Sequence, residues 1–185
     1  MQNDLIETNL PWVTPWFCDP YSVEIHLDAG EREILDEISS HWASTDTIAL
    51  FDGLSGRFGR DIVARVIDKV VAAHIRPEWE ENSRKQPSTT LDDFIRLMWG
   101  PLPDAGFDVE IESRTDGIQI HCTRCPLADT GIRTNAAFLF YHLVCSGDPH
   151  AAAGFNPRIG FRRTQTLMEG HPCCDHFYFM KDAGK

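Results

Sequence analysis

The chain has 185 residues, with 17 Lys and Arg set against 28 Asp and Glu for a formal net charge of -11. That length suits one sizeable core, and so acidic a chain lacks the basic stripe that attracts phosphate backbones and anionic membranes. Nucleic acid and membrane surfaces are therefore set aside as partners.

The opening, MQNDLIETNLPWVTPW, has no basic segment ahead of an apolar one. No apolar run reaches the roughly 18 residues of a spanning helix, so a cytoplasmic protein is expected. Residues 1–22 hold scattered prolines and aromatics without a steady period, which predicts an irregular arm ahead of a single domain over 23–185. From about Ser22 to Trp42, the alternation of Val23, Ile25 and Leu27 gives way to Ile34, Leu35 and Ile38 at helical spacing, so an extended stretch leads into a helix. Thr45 to Ile75 reads as helical, with a wide apolar face and glycines at 53, 56 and 59 that predict a break. Arg76 to Pro87 reads as a helix tail and loop, and Thr90 as the N-cap of a short helix over Leu91 to Trp99, stopped by Gly100 and Pro101.

The clearest local signal follows. Phe107, Val109 and Ile111 alternate with acidic residues, Asp116-Gly117 supplies a turn, and Ile118, Ile120 and Cys122 alternate again, which predicts a β-hairpin. A helix is expected from about Asn135 to Ser146, then a second pair of strands over Arg158 to Met168 and Cys173 to Met180 around Gly170. The order predicts an α+β fold, with N-terminal helices packed on an antiparallel sheet made from two hairpins flanking a helix.

Six cysteines without an export signal read as thiols, metal ligands or catalytic groups rather than a disulfide framework. Cys122 shares strand parity with Ile118 and Ile120 and reads as a small buried hydrophobe. Cys125 stands where the strand ends before Pro126, a position open equally to packing and to ligand contact. Tyr141, His142, Cys145 and Asp148 follow three-four spacing on a predicted helix, while Asp148-Pro149 also reads as a cap opening a new turn. Strand alternation puts Cys174, His176 and Tyr178 on one face and Cys173, Asp175, Phe177 and Phe179 on the other, with the two phenylalanines expected in the core. A carboxylate at 175 near that apolar side needs a partner or a raised pKa. His171 in the turn is a candidate acid or base, and Arg162 a candidate fork for a substrate carboxylate.

The run CPLAD from Cys125, Cys145 with Asp148, and FNPRIGFRRTQTLMEGHPCCDHFYF from Phe155 together resemble the L-2-amino-thiazoline-4-carboxylic acid hydrolase family. The closing element carries the likeness most specifically, in Thr166, Leu167, Gly170, Cys174, Asp175, Phe177 and Phe179, and the match spans roughly residues 107–180. The resemblance implies hydrolytic opening of a cyclic isothiourea without a cofactor: water adds at the carbon between nitrogen and sulfur, and the carbon–sulfur bond breaks to give N-carbamoyl-L-cysteine. Fitted to that chemistry, Cys125 or Cys174 is the nucleophile, His171 or Asp175 moves protons, and Cys145, Asp148, Arg162 and Tyr141 bind substrate. Two other readings use the same residues. In one, Cys125, Cys145 and Cys174 with His171 hold zinc or iron; in the other, the chain is a non-catalytic binding domain resembling the vinyl-reductase type.

Overall fold

A computed structural model describes residues 14–42 and 46–181. The expected arm up to position 13 lies outside the described residues, as does Thr45, where the second helical stretch is expected to begin. The chain divides into two compact units, residues 1–74 with 142–147, and residues 75–141 with 148–185.

The first unit is helical. Where an irregular arm is expected, Thr14–Cys18 forms a short helix (α1), because Phe17 is fully buried and stacks on Trp42 at 4.5 Å between ring centroids. Residues 23–28 are extended but pair with no strand. Helix α2 (Ala29–His41) opens on a capping box: Asp28 accepts from the Glu31 amide and Glu31 accepts from the Asp28 amide. The buried Glu31 carboxylate also meets Lys69 Nζ at 2.5 Å, and that partner holds its pKa below the usual carboxylate range. Helix α3 (Thr47–Phe58) is capped by Asp46 and followed by helix α4 (Arg60–Arg84). The predicted glycine break falls at Gly59, whose φ of 91° is the left-handed region that glycine adopts without a Cβ clash. Gly53 and Gly56 stay inside α3.

Helix α4 runs on through Pro77 to Arg84, where a tail and loop are expected. The reason lies in packing within the second unit: Trp79 sets its ring edge-on to Phe94 at 5.3 Å and to Phe155 at 6.1 Å, and that burial outweighs the backbone bond proline removes. Helix α5 (Leu91–Trp99) forms as read, with Thr90 and Asp93 making a second capping box.

The hairpin also forms as read: strands β1 (Asp108–Arg114) and β2 (Gly117–Arg124) pair antiparallel across the Asp116-Gly117 turn. Helix α6 (Pro126–Arg133) then follows where only a turn at Pro126 is expected. Asn135, at φ 57°, separates it from helix α7 (Ala137–Leu143). Asp148-Pro149 opens helix α8 (Asp148–Phe155). The second strand pair is shorter than expected. β3 spans only Ile159–Arg162, a 3-10 turn occupies Leu167–Glu169, and β4 spans Cys174–Met180.

The four strands form one antiparallel sheet in the order β1-β2-β4-β3, an α+β arrangement as the pattern predicts. Cα partners across the sheet run Ile118 with Tyr178, Ile120 with His176 and Cys122 with Cys174, and Tyr178 also pairs with Phe161. This is the core face, covered by Phe94, Ile95, Trp99, Ala151, Ala152 and Phe155 from α5 and α8. Phe177 is buried as expected and Phe179 only half-buried, and alternation turns both to the face opposite Cys174, His176 and Tyr178. There their rings lie over Gly117 and Gly160, where a Cβ would come within 2.8 Å of Phe177 and 2.4 Å of Phe179. Large aromatics covering strand glycines restore packing that glycine alone cannot supply.

Candidate active site

Strand β4 delivers His176 to the core face, and the chain leaving β3 delivers Arg163 to the same side. Arg163 Nη1 donates to Asp148 Oδ2 at the start of α8, and Arg163 Nη2 donates to the Tyr141 hydroxyl at 3.2 Å. His176 Nε2 lies 3.3 Å from the same Asp148 oxygen and 3.3 Å from Arg163 Nη1. The three charged or titratable side chains are nearly sealed, at 7% exposure for Arg163, 13% for Asp148 and 6% for His176. Removing a carboxylate and a guanidinium from water is costly, and only their mutual pairing with good hydrogen bonds offsets it. Arg163 further lies over the rings of Tyr141 and Phe161, with its guanidinium carbon 5.3 and 5.5 Å from their centroids. Trp99 packs edge-on against the His176 ring at 4.6 Å.

One buried atom in this cluster has no hydrogen-bond partner among the described residues, His176 Nδ1, while the Trp99 indole N–H meets the Tyr178 hydroxyl. Native interiors satisfy nearly all such groups, so an exception marks a place where something else is bound or moved.

Three thiols border the cluster. Cys122 and Cys174 face each other across β2 and β4, and Cys125 caps α6. Burial dominates their acidity. It pushes the Cys122 thiol up to about 12 and Cys174 up to about 11, although the Leu167 amide donates to Cys174 Sγ at 3.3 Å and Arg163 also favours its thiolate. Cys125 is raised as well, again by burial, against the opposing pull of the Ala128 and Leu127 amides. All three sulfurs are therefore held as thiols at neutral pH. Tyr178, wholly buried behind them, is raised far above the ordinary phenol range by the same cause.

The remaining residues named from the sequence are placed as follows. Asp175 points to the opposite face from Cys174 and His176, where its carboxylate accepts from the Thr164 amide (2.8 Å), the Thr164 hydroxyl (2.5 Å) and the Gln165 amide (2.6 Å). Burial alone would raise its pKa, but those three donors outweigh it and hold the carboxyl below its usual range. Arg162 also turns to that outer face, its guanidinium 4.9 Å from the Phe177 ring centroid. The arginine beside Asp148 is thus Arg163, because alternation puts Phe161 on the core face, Arg162 on the outer face and Arg163 back on the core side. His171 is exposed in the turn before β4, with its amide bonded to the Thr166 carbonyl. Cys145 belongs to the first unit, in a 3-10 turn just after His142, whose Nδ1 lies 2.8 Å from Asp68 Oδ1. Among the described residues, no three Cys, His, Asp or Glu side chains come together in a set able to hold a metal ion.

Sequence reasoning missed His176 and Arg163. The signal for His176 was present, since alternation already aligned it with Cys174 and Tyr178, and the buried face of β4 is the one those three share.

An open groove of about 1120 Å³ lies on the other side of the sheet, lined by Arg114, Arg158, Arg162, Phe177 and Phe179 among others. It contains none of the thiols and none of the Asp148–Arg163–His176 cluster. No helix among the described residues is long and apolar enough to cross a membrane.

No curated protein and no solved structure matches the chain significantly. A family profile described as L-2-amino-thiazoline-4-carboxylic acid hydrolase matches residues 38–178, a span that takes in the whole sheet from β1 nearly to the end of β4 together with Asp148, Arg163, His176 and the three bordering thiols. The chain therefore belongs to the L-2-amino-thiazoline-4-carboxylic acid hydrolase family, and that membership supports a hydrolase.

Proposed function

We propose that the protein hydrolyses a small cyclic isothiourea or related thiazoline-type ring at the thiol-bordered cluster of the core face. The observation that carries this reading is the convergence of Asp148, Arg163, His176 and Tyr141 beside Cys122, Cys125 and Cys174 within the family match. The amidine-like edge of such a ring presents N–H donors, which a carboxylate accepts; Asp148 has one oxygen already engaged by Arg163 and keeps partial exposure. Tyr141 and Cys125 are half-buried and so remain reachable by a ligand entering the cluster. Protonated, polarisable thiols suit the sulfur side of the ring.

The raised thiol pKa values favour water over a thiolate as the attacking group, because only the thiolate is a strong nucleophile. Neither a metal nor an organic cofactor is required by this route. The test is incubation of the purified protein with L-2-amino-thiazoline-4-carboxylate, with mass spectrometry following the N-carbamoyl-cysteine product. Turnover is expected, and Cys125→Ser and Cys174→Ser are expected to raise KM more than they lower kcat. Absence of product with wild-type protein would overturn the substrate class. A covalent adduct on Cys125 or Cys174, with kcat abolished in the matching serine variant, would replace water by thiolate.

A further inference from the structure

We infer that His176 is the group that carries protons during ring opening, exchanging them at Nδ1, an assignment that rests on the hydrolase reading above. The residue is buried on the core face of β4, and its ring is fixed from several sides. Trp99 packs edge-on at 4.6 Å, Phe161 lies tilted at 5.9 Å, and Nε2 sits 3.3 Å from both Asp148 Oδ2 and Arg163 Nη1. That placement gives the two ring nitrogens different tasks. A carboxylate only accepts and a guanidinium only donates, so Nε2 is served whether it bears a proton or a lone pair. Nδ1 is the end without a partner among the described residues.

A histidine fixed at one nitrogen by a carboxylate and a guanidinium, with the other left for the reacting atoms, is placed to exchange protons at that free nitrogen. The Trp99 ring packs against His176 while its indole N–H meets the Tyr178 hydroxyl. The unserved imidazole nitrogen suits a guest oxygen that donates to it, which is what an attacking water does. The thiols do not compete for the role, since burial keeps them protonated.

The step balances as follows. Water oxygen bonds to the ring carbon between nitrogen and sulfur while one water proton passes to His176 Nδ1, and the electron pair of the carbon–nitrogen double bond moves to the ring nitrogen. The carbon–sulfur bond then breaks with its electron pair staying on sulfur, which takes the proton back from Nδ1. The second water proton leaves the new oxygen for the ring nitrogen as the carbonyl forms. The imidazole ends as it began, and the imidazolium between the two steps lies beside the Asp148–Arg163 pair.

The test uses the full chain and three measurements. His176→Gln is expected to lower kcat by about 100-fold or more with KM little changed, the usual size of a general acid–base contribution. His176→Ala is expected to recover part of that loss when imidazole is added, which a purely structural histidine would not show. In wild-type protein, an inert cyclic urea, 2-oxoimidazolidine-4-carboxylate, is expected to shift the Nδ1 ¹⁵N resonance of His176. A folded His176→Gln variant with kcat within a few-fold of wild type, or a resonance that the cyclic urea leaves unmoved, would overturn the assignment. A shifted resonance in a protein that turns over no thiazoline would sink the substrate reading alone and leave His176 as a ligand contact.

Discussion

On the sheet face that carries Asp175, Phe177 and Phe179, the carboxylate takes three close hydrogen bonds and the rings lie over strand glycines. On the face that carries Cys174, His176 and Tyr178, a buried ion pair, a histidine with one unserved nitrogen and three protonated thiols lie together. The strand is the same and the residues alternate, yet one side has polar groups that are already satisfied and the other has polar groups that are not. A polar side chain that has all its partners holds the fold in place. One that is buried and short of a partner is poised to meet something else.

Adjacent arginines test that contrast most sharply. Arg163→Met leaves the Asp148 carboxylate buried without its cation and is expected to cost about 3–5 kcal/mol in urea unfolding, whereas Arg162→Met on the other face loses only a ring contact, about 0.5–1 kcal/mol. Equal costs for the two would erase the distinction between the faces. Asp175→Asn is next in size. It removes a charge-assisted acceptor from partly exposed ground and is expected to cost about 1–2 kcal/mol at neutral pH. The folded pKa of Asp175 is depressed, so that contribution is fully present above the unfolded pKa and is lost as pH falls through the folded value. The gap between wild type and variant should therefore close in acid; a gap that persists there would assign the effect to shape. Gly160→Ala ranks below Asp175→Asn. The new Cβ meets the ring of Phe179, which can swing aside, so a loss of about 1 kcal/mol in a thermal melt is expected with catalytic activity unchanged.

Where local chemistry decides structure, the sequence was legible. The Thr90 cap, the Asp116-Gly117 turn and the alternation on either side of it specify α5 and the first hairpin without reference to the rest of the chain. Elements decided by tertiary contact were not. Helix α4 passes Pro77 because Trp79 is anchored by Phe94 and Phe155, and α6 forms beyond Pro126, a residue that suits the first helical turn as well as it suits a loop. The site was half-visible for a related reason. Alternation correctly grouped Cys174 with His176 and Tyr178, but β4 buries residues on both of its faces, and the two conspicuous phenylalanines stand on the side away from the cluster. Likewise, the outer face of β3 offered Arg162 in place of its neighbour, whereas alternation aligns Arg163 with Phe161 on the core side.

Strand β2 carries an irregularity that bears on how the thiols come together. Asp108 pairs with Arg124 while Val109 pairs with Cys122, so Thr123 has no opposite number. Three positions apart, the two cysteines would face opposite sides under simple alternation; the bulge resets the alternation, so both sulfurs end on the inner side and Cys125 packs against the core. The common side of the two cysteines is thus set by where the ladder slips. Thr123, exposed and without an opposite number, takes up the slip, so a three-residue spacing brings together sulfurs that strict pairing would part.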